Sequence, residues 1–195
     1  MRPFTIATRR SLDGTAIARS QKHPEAFADV FDRHFAVLHR YIARRIGPDR
    51  ADDLASQTFT VAFAHRGRYR DDLGTARPWL LGIATNLMRS EYRHAQRAES
   101  VVERLGAGAV EFSADHTSGR FENDVCVGVA LEGLEAGQRE ALLLHVWGEL
   151  SYAEVASAME IPVGTVRSRI SRACAVLREQ LDPQAETARE RSIDA

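Results

Sequence analysis

Apolar residues recur at steps of three and four over most of this chain, and no segment alternates apolar and polar residues as a strand would. Phe27, Val30, Phe31, Phe35, Leu38, Tyr41 and Ile42 mark a first long helix, stopped by Gly47-Pro48. A second helix is predicted over 49–65, with Leu54, Thr58, Val61 and Ala62 on one face. A polar, mixed-charge loop over 67–74 follows. The third helix starts near Ala76, with Trp79, Leu80, Ile83, Ala84 and Leu87 inward and Arg89 and Arg93 outward. From 96 to 121 the pattern dissolves. Gly106, Gly108, Ser113, Ser118 and Gly119 interrupt it, leaving room for one short helix around 101–105. A second helical block spans 122–181. It opens with a helix to Leu134, then one over 137–147 carrying Leu142, Leu143, Val146 and Trp147. Residues 1–23 have weak periodicity and read as a loose tail, as do 182–195. The prediction is an all-α fold: two small helical domains, 24–97 and 122–181, joined by a flexible linker over 98–121.

The second block ends in a helix, a tight turn and a helix. Ser151 followed by Glu154 fits a capping box, so a helix starts there. Tyr152, Val155, Ala156 and Met159 form its apolar side, and Glu160 and Ile161 make the turn. Pro162 suits the first turn of the next helix, where its missing N–H costs nothing. Val163, Val166, Ile170, Ala173 and Leu177 then form one stripe. Gly164, Thr165, Ser168, Ser171 and Arg172 lie opposite, and Arg167 and Arg169 flank them. Residues 162–178 hold four arginines and no acid, whereas a merely solvated helix face usually mixes signs. Short polar side chains allow close approach to DNA, and arginines reach phosphates or guanine edges. A DNA-reading helix-turn-helix is therefore expected, with an ordinary solvated amphipathic helix as the alternative.

Net charge alters little at first sight, being −1 over 195 residues. Its distribution is more telling: residues 98–135 hold two basic and eight acidic groups, so the linker is acidic. Of the 26 basic residues all but Lys22 are arginine. Cys126 and Cys174 are far apart with no C-x-x-C spacing, which argues against a disulfide framework and for a cytoplasmic protein. The seven histidines form no metal-ligand pattern, so neither a metal nor a cofactor is expected. No apolar run reaches the ~18 residues that would span a bilayer, so no membrane contact of its own is expected, and the amino terminus lacks a signal-peptide core. An enzyme would need a nucleophile–base pair, a metal cluster or a phosphate loop, and none is legible.

The two blocks, in this order, resemble the sigma factors of bacterial RNA polymerase, and more narrowly their extracytoplasmic-function (ECF) group. FADVFDRHFAVLHRYIARRIG, ADDLASQTF and RPWLLGIATNLMRSEYR are similar to region 2; QREALLLHVWGELSYAEVASAMEIPVGTVRSRISRACAVLRE is similar to region 4. The resemblance covers about 130 residues. It implies a non-catalytic subunit that binds core RNA polymerase, through the largest subunit's clamp coiled coil and the flap, and directs initiation at promoter DNA. It also implies control by an anti-sigma factor.

Role by role, the resemblance puts Asp52, Asp53, Leu54, Gln57 and Phe59 at the surface that docks on the clamp coiled coil. An exposed patch of acids and apolar groups suits a basic partner. It puts Tyr69, Arg77, Trp79, Asn86, Arg89 and Arg93 where the minus-10 element is opened and held. Melted strands are bound by aromatic platforms, polar pockets and arginines on phosphates. The loop over 67–74 corresponds to the family's minus-10 specificity loop. Thr165, Arg167, Ser168, Arg169 and Arg172 fall on the minus-35 reading helix. Five positions depart from the family pattern. Ser56-Gln57 stands for Gln-Glu, Thr85 for an arginine, Glu160 for a glycine and Cys174 for an arginine. The Thr85 exchange is expected to remove a phosphate contact, and Glu160 to strain the turn if that position needs positive φ. A helix-turn-helix regulator acting without polymerase would account for 151–178 but leave 52–59 and 79–86 unexplained.

Overall fold

In the computed structural model, which describes residues 11–104, 128 and 130–181, every regular element is a helix or a 3-10 turn, with no strand among the described residues. The chain divides into two compact units, 1–91 and 92–195. The first ten residues, Cys126, the acidic linker from 105 to 121 and the tail over 182–195 lie outside the described residues.

The first unit holds α1 (Leu12–Ser20), α2 (Ala28–Ile46), α3 (Ala51–Ala64) and the start of α4 (Arg77–Arg104). Gly47 ends α2 with φ +84°, a conformation that glycine adopts without a Cβ clash, and Pro48 opens a single 3-10 turn before α3. Val30, Leu38, Tyr41 and Ile42 of α2, Leu54, Ala55 and Phe59 of α3 and Leu80, Leu81 and Ala84 of α4 are all buried in the core. The buried face of α4 is rotated from the expected one: Leu81, Thr85 and Met88 are inside, while Trp79, Ile83 and Leu87 are only half-buried. α4 also runs unbroken to Arg104, where the sequence suggested a separate short helix.

The expectation of a loose tail over 1–23 fails for its second half, because α1 is part of this unit. Its buried face is Asp13, Gly14, Ala16, Ile17 and Ser20, only two of them large or apolar enough to register as a helical period. Polar groups hold it instead. Ser11 caps the helix, accepting from Gly14 N–H at 2.9 Å. Asp13, 4% exposed, accepts from the Ala76 amide at 2.7 Å, from His34 Nε2–H at 2.7 Å, from the Thr75 hydroxyl at 3.3 Å and from the Arg33 guanidinium. Burial, aided by Arg33 and Arg77, pushes His34 down to about 4, so its ring is neutral near pH 7 and gives Asp13 a hydrogen bond rather than a full charge.

The second unit holds α5 (Ala136–Val146), α6 (Tyr152–Met159) and α7 (Val163–Leu181), preceded by helical residues at 128 and 130–132. Leu143, Leu144, Leu150, Val155, Val166, Ile170 and Ala173 fill its core. Between α5 and α6 the chain passes so close to the end of α5 that a Cβ on Gly148 would lie 2.4 Å from Leu144 O. The Leu150 carbonyl is tied back by His145 Nδ1–H at 2.7 Å, and the His145 ring meets Tyr152 edge-on at 4.9 Å.

Candidate nucleic-acid and polymerase interfaces

The helix-turn-helix forms as its residues dictate. Ser151 Oγ accepts from Glu154 N–H at 3.4 Å and Glu154 Oε2 accepts from Ser151 N–H at 2.8 Å, which closes the capping box. α6 ends on Glu160 in the left-handed region, φ +54° and ψ +42°, so the position that the family fills with glycine does require positive φ here. Pro162 sits one residue before α7, its carbonyl accepting from Thr165 and Val166 N–H at 2.9 and 3.2 Å.

On α7, Val166, Ile170 and Ala173 are buried as the stripe predicts, Leu177 is half-buried, and Val163, in the first turn, is 40% exposed. Arg167 and Arg172 are exposed, with Gly164 and Ser171 beside them and nothing within 4 Å of where a Gly164 Cβ would stand. Thr165 and Ser168 are half-buried, and Ser168 Oγ–H is used on Thr165 O at 3.0 Å. Arg169 departs from its expected place. Its guanidinium lies across the first turn of α5, with Cζ 3.0 Å from where a Gly137 Cβ would be. Cys174 is half-buried and lines an open hollow with Leu177 and Leu181.

In the first unit, Trp79 and Asn86 fall on one line of α4, seven residues apart and within about 20° on the helix; Arg93, seven residues further along the same helix, belongs to the second unit. Asn86 and Arg93 are exposed; Trp79, Arg77 and Arg89 are half-buried. Tyr69 completes an aromatic step, its ring 5.1 Å from that of Trp79 at 52°. Burial and the Asp71 carboxylate push the Tyr69 phenol far above its usual range, so it stays a neutral donor, 3.3 Å from Asp71 Oδ1. Thr85 is 3% exposed and its hydroxyl is 3.2 Å from Tyr41 Oη, which accepts from Arg45 at 2.8 Å. The departure at 85 therefore falls on a buried position of this chain, not on an exposed one from which a side chain would reach phosphate.

Of the residues expected to dock on polymerase, Asp52, Asp53 and Gln57 are exposed on α3. Leu54 and Phe59 are not available as contacts: they are 1% and 5% exposed, turned toward α2 by the same period that puts the acids outside. What sequence reasoning missed is the aromatic rim. The Phe59 ring lies 4.7 Å from Phe31 and 6.3 Å from Phe35, Phe31 is 39% exposed, and His39 Nε2 is 3.1 Å from Asp52 Oδ1. Phe31 and Phe35 stand one helical turn apart on α2, a spacing that marks the helix but does not say which of its apolar residues stays exposed. Asp53, Ser56, Gln57, Thr60 and Val61 line a shallow groove alongside.

The model of sigma-70 region 2 matches residues 30–98 and that of sigma-70 region 4 matches 124–177. A probable RNA polymerase sigma-C factor of Mycobacterium bovis is 35% identical over 144 residues, covering 74% of this chain and 77% of its own. The ECF RNA polymerase sigma factor SigL of Mycobacterium tuberculosis is 30% identical over 150 residues, covering 76% and 85%. Among solved structures, CnrH in complex with the cytosolic domain of CnrY is similar with a TM-score of 0.60 at 26% identity, covering 87% of this chain and 97% of that one. The sigma factor RpoE in complex with the anti-sigma factor NepR from Bartonella quintana is similar at 0.58 and 26%, covering 84% and 98%. With both conserved regions matched and helices of the expected kind in each unit, the chain belongs to the ECF sigma factors of RNA polymerase.

Proposed function

We propose that this chain binds core RNA polymerase and directs promoter-specific initiation, reading the minus-35 element as duplex and the minus-10 element as opened strand. The observation that carries the reading is that one chain holds two unlike DNA faces. α7 presents Arg167 and Arg172 opposite a buried stripe, with only small residues between, which suits a duplex groove. α4 presents Trp79 and Asn86 in a line beside Tyr69, with Arg93 further along the same helix, which suits splayed bases and their phosphates. Asp52, Asp53 and Gln57, with Phe31 and Phe35 at their edge, supply the acid and apolar mix for the clamp coiled coil. Leu54 and Phe59 support that patch from beneath. Arg169, whose guanidinium lies across the first turn of α5, is assigned a phosphate rather than a base. The chain acts in the cytoplasm and performs no catalysis itself.

An anti-sigma factor is proposed as a further partner, because the similar sigma factor RpoE was solved in complex with the anti-sigma factor NepR, and the similar CnrH in complex with the cytosolic domain of CnrY. Transcription reconstituted with core polymerase tests the main reading. A promoter silent with core alone should fire when the chain is added, and Trp79→Ala should abolish opening while leaving core binding intact. If no promoter fires, or if Trp79→Ala opens promoters as well as wild type, the reading fails.

A further inference from the structure

The loop over 67–74 carries Tyr69, half of the aromatic step, yet it has little packing of its own: Arg68, Arg70, Asp72 and Gly74 are exposed. Beside the contact of the Tyr69 ring with Trp79, two ties hold it to α1. At its far end Asp13 grips the Thr75 hydroxyl and the Ala76 amide. In its middle Asp71 is drawn onto the start of α1, where Oδ2 accepts from Ser11 N–H at 2.7 Å and Oδ1 accepts from the Ser11 hydroxyl. The same Oδ1 accepts from Tyr69, so the carboxylate that reaches α1 also holds the phenol. Closeness is permitted by Gly14, whose absent Cβ would stand 2.1 Å from Asp71 Oδ2 and 3.0 Å from Asp71 Cβ. A third tie, Arg66 Nε–H to Ser20 O at 3.3 Å, joins the other end of α1 to the turn before the loop.

We propose that Ser11, Gly14 and Asp71 form a clasp that sets the shape of the minus-10 loop, making α1 a specificity-determining element of promoter reading. The inference rests on Tyr69 and Trp79 being the minus-10 platform. Ser11 and Asp71 are positioning residues: they act through Tyr69 and the loop backbone, and need not touch DNA. A loop released from the clasp samples more shapes, so it discriminates less between bases while the reading helix α7 is untouched.

The test is run-off transcription by core polymerase with full-length protein. The promoters share one minus-35 element and carry each of the four bases in turn at the minus-10 positions. Ser11→Ala, Asp71→Ala and Gly14→Ala should each shrink the ratio between best and worst minus-10 base by about fivefold, the factor that matches loss of one helix cap. Ser11→Thr keeps the hydroxyl and should keep the ratio. Gly14→Ala is the sharper variant, because alanine favours the helix while its methyl expels Asp71. A purely structural role would lower output from every promoter equally and leave the ratio unmoved; that result, or an unchanged ratio in all three variants, overturns the clasp. If wild type fires no promoter, the proposed function fails by itself. Amide exchange over 67–74 then judges the clasp: faster exchange in the three variants but not in Ser11→Thr supports it, and equal exchange overturns it.

Discussion

Removing the Asp13 carboxylate should cost the first unit several kcal/mol. The side chain is 6% exposed and serves four donors from two parts of the chain, 33–34 and 75–76. In Asp13→Ala, the Arg33 guanidinium, 36% exposed, rehydrates. The Ala76 amide and the His34 ring N–H do not, since Ala76 is fully buried and the His34 side chain is only 12% exposed. Each stranded buried donor costs ~1–3 kcal/mol, so about 4 kcal/mol is expected for the two. That is a large part of the ~5–15 kcal/mol that holds a typical domain together. At a urea dependence of ~2 kcal/mol/M the midpoint should fall by about 2 M. Asp13→Asn keeps an acceptor for Ala76 and should lose about half as much. Each unit holds one of the chain's two tryptophans, so Trp79 fluorescence in a Trp147→Phe background reports the first unit alone. A loss under about 1 kcal/mol in Asp13→Ala would refute the argument that these donors have no other partner.

Glu160→Gly should stabilise the second unit by about 0.5–1 kcal/mol, since φ is +54° there, whereas Glu160→Ala should gain nothing; Trp147 fluorescence in urea distinguishes them. Gly148→Ala drives a methyl into the Leu144 carbonyl and should destabilise the same unit by ~1–3 kcal/mol, seen as a lower thermal midpoint. The unfolded His34 ring titrates near 6.5 and the folded one near 4, so the stability that its neutral form lends above 6.5 drains away as the pH falls through that window. His34→Gln should flatten the acid limb of a urea-midpoint series, and an unchanged limb would count against this account. Arg172→Ala should weaken minus-35 duplex binding and lower the salt slope by about one, read from affinities at several salt concentrations.

The fold class, the long helices and the capped helix-turn-helix were legible because apolar periods and caps are local signals: α2 stops where Gly47-Pro48 requires, and Ser151 and Glu154 form the box that their spacing announces. α1 was hidden because its buried face is largely polar and its partners lie some 60 residues on, beyond any window that reads periodicity. The same limit explains Leu54 and Phe59. A helical period says that residues share a face, yet only packing says which faces meet a neighbour. Arg169 was misplaced for a related reason, since the gap above Gly137 that admits its guanidinium is formed between two helices.

Asp13 and the Ala76 amide stand 63 residues apart, which gives α1 an unusual place in the order of folding. Of the described helices it is the first to be synthesised, and at nine residues it is too short to hold itself together in water. At ~5–20 residues per second its partner is synthesised ~3–12 s later. α1 can therefore meet Arg33 and His34 of α2 early, but its ties to Thr75 and Ala76 wait until α4 begins, and closing that long loop is a late step. A tag or truncation at the amino terminus would leave α2, α3 and α4 free to nucleate and would act on this last docking event, slowing maturation more than collapse.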